Sequence, residues 1–333
     1  MNSLYRLYIK QTAVLLLAGT LLSLVYVYLC YTNLGAHISN IDLDTWYISN
    51  TMSQYTTACF FTNIILCTLL VYTFYKYRNK NTGIFIKHLP VKAGNDFIVK
   101  ALLSVLFILL ITCIQLFIFR LLRGTVDFMY NNLVEHYETE NTVIKGLEEL
   151  YSEYHSDFIS LSMAALLFTS VMFFFSNCIG VTGFSVAMPY IVYFSLISCS
   201  LGADFFKNEI GLNLDMSYLR QIAMNFSYTA VFDIPVFNAD MSEYLPVIIS
   251  SLLFYAAAYF CCIHFDFSKV GTLFIFKWTK ALTYFLGCIF GGFSLYLIGL
   301  SLEPDSVLGN VLILLVCMLI SYIIIYKIEQ AFE

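Results

Sequence analysis

Charge is what this sequence has least of. Only 12% of its 333 residues are charged, while 60% are hydrophobic and the mean hydropathy is +0.79. A water-soluble domain carries about 25% charged residues. The shortfall excludes a surface that faces water all round, so lipid must cover most of it. Catalytic signatures are missing too. The chain has no G-x-x-x-x-G-K-[ST] phosphate-binding loop, no H-E-x-x-H and no G-x-S-x-G. The ten cysteines are no exception: all lie in or at the ends of apolar segments and none in a long polar loop, which argues against a disulfide framework. Cys261 and Cys262 are adjacent rather than spaced as metal ligands.

What is present is a series of apolar runs, at about 12–32, 55–75, 98–122, 158–178, 182–201, 245–263, 280–300 and 308–327. About 20 such residues cross a bilayer as a helix. The pattern predicts an all-α polytopic membrane protein with about eight transmembrane helices (six to eight) in a single transmembrane domain, 1–333. The pair 158–178 and 182–201 is the weakest, because only Ile179, Gly180 and Val181 separate the two. Residues 1–11 place Leu4, Tyr5, Leu7, Tyr8 and Ile9 beside Arg6 and Lys10, the make-up of a short amphipathic helix in the membrane interface.

Once the runs are marked as spans, the few charges sort themselves. Eighteen of the 22 acidic residues fall in loops on one side, and 12 of the 17 Lys and Arg fall on the other. Lys76, Arg78, Lys80, Lys87, Lys92 and Lys100 face Asp96 alone in the loop after the second run, and Lys269, Lys277 and Lys280 face Asp266 in the loop after the sixth. Basic loops stay in the cytoplasm, so both termini are expected there. The stretches 123–157 and 202–244 form an acidic outer face. Within the first, Val143, Leu147, Leu150 and Tyr154 recur at helical spacing, a stripe on a helix leading into the fourth span. That face is either simply solvated or a surface for a cationic, amphipathic substrate.

Inside the spans the strong polar groups are Asn63, Gln115 and Asn177, with Arg120 close enough to an end to reach the interface. No carboxylate lies in a span core. Carriers driven by protons or sodium usually need one, or a broken helix, so the energy source is expected outside the chain. Gly287 and Gly291, followed by Gly292, allow close approach of another helix, either as internal packing or as a subunit contact. His136 and His155 lie near acids in one outer loop, where solvated histidines are a simpler reading than a metal site. No cofactor or metal is expected in this chain, and no nucleic acid as a partner.

The two basic loops echo each other. Lys92 to Lys100 and Lys269 to Lys277 both read K-x-G-x-x-F-I-x-K, with Gly94, Phe97, Gly271 and Phe274 at matching places. Either a four-span unit is duplicated, with halves 1–180 and 181–333, or basic loops entering apolar helices converged.

The segment Lys87, His88, Leu89, Pro90, Val91, Lys92 resembles the L-P-(V/I)-(S/K)-(R/K) stretch that precedes the cytoplasmic coupling helix in permease subunits of type-two ABC exporters, those of Gram-positive peptide and drug exporters in particular. Gly271 lies where some members carry an E-x-x-G turn, here with Phe267 or Ser268 in place of the acid. Residues 176–189, with Gly180 and Gly183, resemble the small-residue turn after that family's fourth span. The resemblance implies cytoplasmic coupling helices, ABC ATPase subunits as partners that bind the ATP and magnesium, and a second permease copy or a paralogue completing the path. It implies export of an amphipathic peptide, a toxin, an antimicrobial or a lipid-like molecule, with Lys87, Leu89, Pro90, Val91, Lys92, Gly94, Phe97, Lys269, Gly271, Phe274 and Lys277 in the ATPase-coupling loops. The competing expectations are a membrane-embedded enzyme working on the outer face, and a sensor or scaffold that transports nothing.

Overall fold

The computed structural model describes residues 2–38, 45–76, 93–137, 142–192, 241–265, 272–299 and 307–332. Among these residues the chain is all-α: α1 (Asn2–Ile38), α2 (Thr45–Tyr75), α3 (Ala93–Tyr137), α4 (Thr142–Cys178), α5 (Thr182–Val192), α6 (Met241–Ile263), α7 (Lys277–Gly299) and α8 (Val307–Phe332). Six carry apolar segments long enough to cross a membrane: Tyr5–Thr32, Gln54–Tyr75, Ala93–Leu121, Phe158–Cys178, Lys277–Ile298 and Leu308–Ala331. The chain is thus a multi-pass membrane protein. The other two expected spans correspond to shorter apolar helices, Thr182–Val192 and Val247–Ile263, and residues 193–201 of the fifth run lie outside the described residues.

Residues 2–11 are not a separate interfacial helix. They form the first turns of α1, because no glycine, proline or capping residue interrupts the chain before Thr12, whose hydroxyl donates back to the Tyr8 carbonyl at 2.9 Å. The stretch carrying Val143, Leu147, Leu150 and Tyr154 is helical, as its spacing predicts, and runs without a break into the fourth span. At 45 residues, α3 likewise outlasts its apolar segment by several turns.

The helices fall into two compact units that do not follow the halves of the chain. One contains α1, α2 to Phe74, α3, α4 to Ser170 and α6 to Tyr255; the other contains the rest of α4, α5, the rest of α6, α7 and α8.

In the first unit, α1 approaches α2 and α3 at Gly19, where a Cβ would stand 2.6 Å from Leu66 Cδ1 and 2.7 Å from Ile111 Cδ1. Lipid is as apolar as leucine, so such close approach and interhelical hydrogen bonds hold membrane helices together. The polar part comes from Asn63 of α2 and Gln115 of α3. Each amide donates to the other's oxygen at 2.9 Å, fully buried, and the Tyr55 hydroxyl donates to the Gln115 carbonyl at 3.1 Å. The Tyr55 ring sits with Phe119 and Phe158 in an aromatic cluster whose centroids lie 5.4–6.3 Å apart, within the range of favourable ring pairs.

In the second unit, α7 and α8 run antiparallel and are closed along their length. The Tyr284 hydroxyl and Lys280 both reach Glu329 (2.6 and 2.5 Å) near one end, and the Tyr296 hydroxyl donates to Asn310 Oδ1 at 3.1 Å toward the other. Between them lies the glycine seam. A Cβ on Gly287 would meet Ile325 Cδ1 at 2.5 Å, one on Gly291 would meet Ser321 Oγ at 2.8 Å, and one on Gly292 would collide with Met318. Gly287 and Gly291 therefore pack within the chain, against α8.

Two outcomes follow from this packing. Asn63→Leu or Gln115→Leu alone strands a buried amide and is expected to cost about 1–2 kcal/mol, whereas the double change costs less than the sum of the two; a double-mutant cycle on unfolding in detergent reads this coupling, and additive losses would refute it. Gly292→Val is expected to destabilise by about 1–3 kcal/mol through overpacking against Met318. Gly124→Ala, with open space around its Cβ position, is expected to leave the melting temperature unchanged or slightly raised.

Candidate functional site at the ends of α4, α6 and α7

The two copies of the K-x-G-x-x-F-I-x-K pattern fold differently, and their sequences explain why. In the first copy Asp96 stands in the first turn of α3, where a carboxylate is favoured by the helix dipole. It pairs with Lys100 one turn on, at 2.6 Å. Helix therefore starts at Ala93, and Gly94 and Phe97 are both buried in its first two turns. Lys100, itself buried, lies over the Tyr8 ring at 5.1 Å, and Tyr8 packs edge-on against Phe74 at 5.3 Å.

The second copy has Thr272, Leu273, Phe274, Ile275 and Phe276 in the corresponding places, with Leu273 where Asp96 stands and no acid to start a helix. Helix begins only at Lys277. The preceding segment is non-helical, bent on both sides of the one bridge residue Phe274, and docks on the turn after α4. Ile179 and Phe274 form an antiparallel bridge, and the Ile275 N–H donates to the Cys178 carbonyl at 3.1 Å. That carbonyl is among the last four of α4, which have no partner inside their own helix. Leu273 and Ile275 are both only 2% exposed. Leu273 and Phe274 join a small cluster with Ile179, Met188, Phe175, Val181, Phe184 and Ile328.

Cys178 also meets α6: its thiol and that of Cys261 are 3.5 Å apart, both buried and both free. One position back, Asn177 donates to the Tyr75 hydroxyl at 3.0 Å and to the Phe173 carbonyl at 2.7 Å. The end of α4 is thus gripped by α6, by Tyr75 at the end of α2 and by the 272–276 segment.

Where α7 begins, Lys277, Lys280 and Tyr284 join Tyr322, Tyr326 and Glu329 of α8 around a groove of about 430 Å³. Glu329 is buried and takes both Lys280 and the Tyr284 hydroxyl. The Tyr284 and Tyr322 rings are 5.4 Å apart, and Gln330 donates to the Tyr326 hydroxyl at 2.8 Å.

Of the residues picked out in sequence, Phe274 and Lys277 fall in this region, Gly94 and Phe97 lie in the first unit, and Gly287 and Gly291 lie in the seam. Lys87, Leu89, Pro90, Val91, Lys92, Lys269 and Gly271 lie outside the described residues, as do the side chains of His136 and His155. Sequence reading missed Cys178, Cys261 and Glu329. For Glu329 there was a signal: an acid two residues past the last apolar run, at the same end as Lys280, which opens the run before it. For the two cysteines there was none, since contact between distant helices leaves no local trace. Among the described residues no three His, Cys, Asp or Glu side chains converge as a metal site. No protein-family model, curated protein or solved structure matches the chain.

One substitution tests the docking. Ile275→Pro removes the donor to Cys178 and is expected to destabilise by about 1–3 kcal/mol and to open Cys178 to a small maleimide, read by mass spectrometry of labelled peptides. Continued protection of Cys178 would show that the strand contact is not what holds the segment.

Proposed function

We propose that this chain is the membrane-spanning subunit of an ATP-driven exporter of the ABC class, with ATP hydrolysed by separate subunits. The observation that supports the reading is the seating of residues 272–276 on the end of α4. An ATPase beneath the membrane needs a stiff lever to reach the spans, and a buried, hydrogen-bonded segment continuous with α7 supplies one. The basic loops favour a cytoplasmic position for this end and both termini, and an outer position for the acidic stretches. A second copy or a paralogue would complete the path. An amphipathic and cationic cargo suits the acidic outer face, whose many carboxylates would concentrate positive charge.

The deciding experiment is purification from native membranes in mild detergent, with mass spectrometry of stoichiometric partners. A soluble-type ATPase that co-purifies and hydrolyses ATP in the complex is the expected result. A clean preparation without one would overturn the reading. In the complex, Pro90→Ala and Gly94→Ala are expected to keep the ATPase bound while changing its hydrolysis rate severalfold; wild-type rates in both variants would remove 87–97 from the coupling surface.

A further inference from the structure

The groove between the first turn of α7 and the last turns of α8 is lined by more than the Lys280, Tyr284 and Glu329 contacts that close the two helices on each other. Its walls combine two cationic side chains, three tyrosines and one buried carboxylate. Its volume of about 430 Å³ falls in the range of small-ligand sites. It lies where both apolar segments end, Lys277–Ile298 at its start and Leu308–Ala331 at its finish. That is the depth at which a bilayer places its headgroups, and where tyrosine and lysine side chains are favoured.

The charges decide which headgroup. Glu329 would draw an ammonium group into a tyrosine cage, but its carboxylate already holds Lys280 through one oxygen and the Tyr284 hydroxyl through the other. Lys280 in turn lies 6.0 Å from the Tyr284 ring centre, so the protein's own cation occupies the cage. Lys277 is different. It is exposed, one turn before Lys280, and has no hydrogen-bond or ion-pair partner among the described residues. The groove therefore carries one uncompensated positive charge. At the same depth α7 and α8 carry exposed apolar side chains on faces beside the groove, Leu282 and Phe285 on α7 and Ile323 on α8, which do not line it.

The geometry points to a binding site for an anionic phospholipid, its phosphate held by Lys277 at the groove mouth with Lys280 behind, and its acyl chains laid along the apolar faces of α7 and α8. This site stands whether or not the chain exports anything. The shared chemistry is a phosphate group, and a free phosphate compound is the other source of it.

The test uses the full chain, delipidated in detergent and titrated with phosphatidylglycerol or phosphatidylcholine of matched chains under native mass spectrometry. The expected result is retention of phosphatidylglycerol over phosphatidylcholine, weakened about tenfold in Lys277→Ala through loss of a charge-assisted hydrogen bond. Lys327→Ala, a cation on α8 that donates to Gln330 at 3.3 Å and does not line the groove, should retain the lipid as wild type does. In a Trp46→Phe background the remaining Trp278, next to Lys277, should change its emission with phosphatidylglycerol and not with phosphatidylcholine. Equal retention of the two lipids, or undiminished retention in Lys277→Ala, would overturn the proposal. Displacement of phosphatidylglycerol by millimolar inorganic phosphate would overturn the lipid as ligand and leave a soluble phosphate compound in its place.

Discussion

In a bilayer every backbone N–H and C=O must find a partner within the protein, because no water is there to take its place. Helix answers this demand locally, which is why the described residues are helical almost throughout. The interest lies in the exception. Residues 272–276 are non-helical, and they remain tolerable at the edge of the apolar layer because the Ile275 N–H donates to the Cys178 carbonyl at the open end of α4, beside the Ile179–Phe274 bridge. One orphaned helix end and one unfolded loop end satisfy each other. The docking of this segment, the position of α7 and the place of the groove beside it all descend from that exchange.

Polar side chains inside the spans divide into two kinds. Many hydroxyls are turned back on their own helix: Ser23 to Gly19, Thr169 to Ala165, Ser251 to Val247 and Ser294 to Phe290 each donate to a carbonyl four residues earlier. They are satisfied without a neighbour and specify little. The amides are the other kind. Asn63 with Gln115, and Asn177 with Tyr75, cross from one helix to another and hold only in one register. With glycine contacts at Gly19 and along α7, they supply the specificity that apolar contact cannot, since exposed leucines on α1 or α8 meet lipid as readily as protein.

The fold was legible in sequence to the extent that it depends on composition along the chain. Six long apolar helices, the helical approach to the fourth span and the polar standing of Asn63, Gln115 and Asn177 follow from hydropathy and helical spacing. What did not follow depends on partners in space. The matching K-x-G-x-x-F-I-x-K stretches look alike as strings, yet Asp96 starts a helix in one, and with Leu273 in its place the other stays non-helical up to Lys277. Gly287 and Gly291 read equally as an internal seam or a subunit contact until α8 was seen to fill the space. Cys178 and Cys261 meet through tertiary packing alone. Of the expected coupling residues, those nearest the helices could be placed, and Phe274 proved to be part of a buried cluster rather than a free surface side chain.

The closure of α7 on α8 also bears on how the chain is made. Its contacts, from Tyr284 with Glu329 to Tyr296 with Asn310, join neighbouring helices, so this hairpin can assemble as soon as α8 has left the ribosome. The Cys178–Ile275 bond is of another sort: its two halves are separated by α5 and α6. Until the start of α7 is synthesised, α4 waits in the membrane with its final carbonyl unpaired. Helices made later therefore complete one laid down well before them, and a chain truncated ahead of residue 272 would lack the donor that the Cys178 carbonyl takes from Ile275.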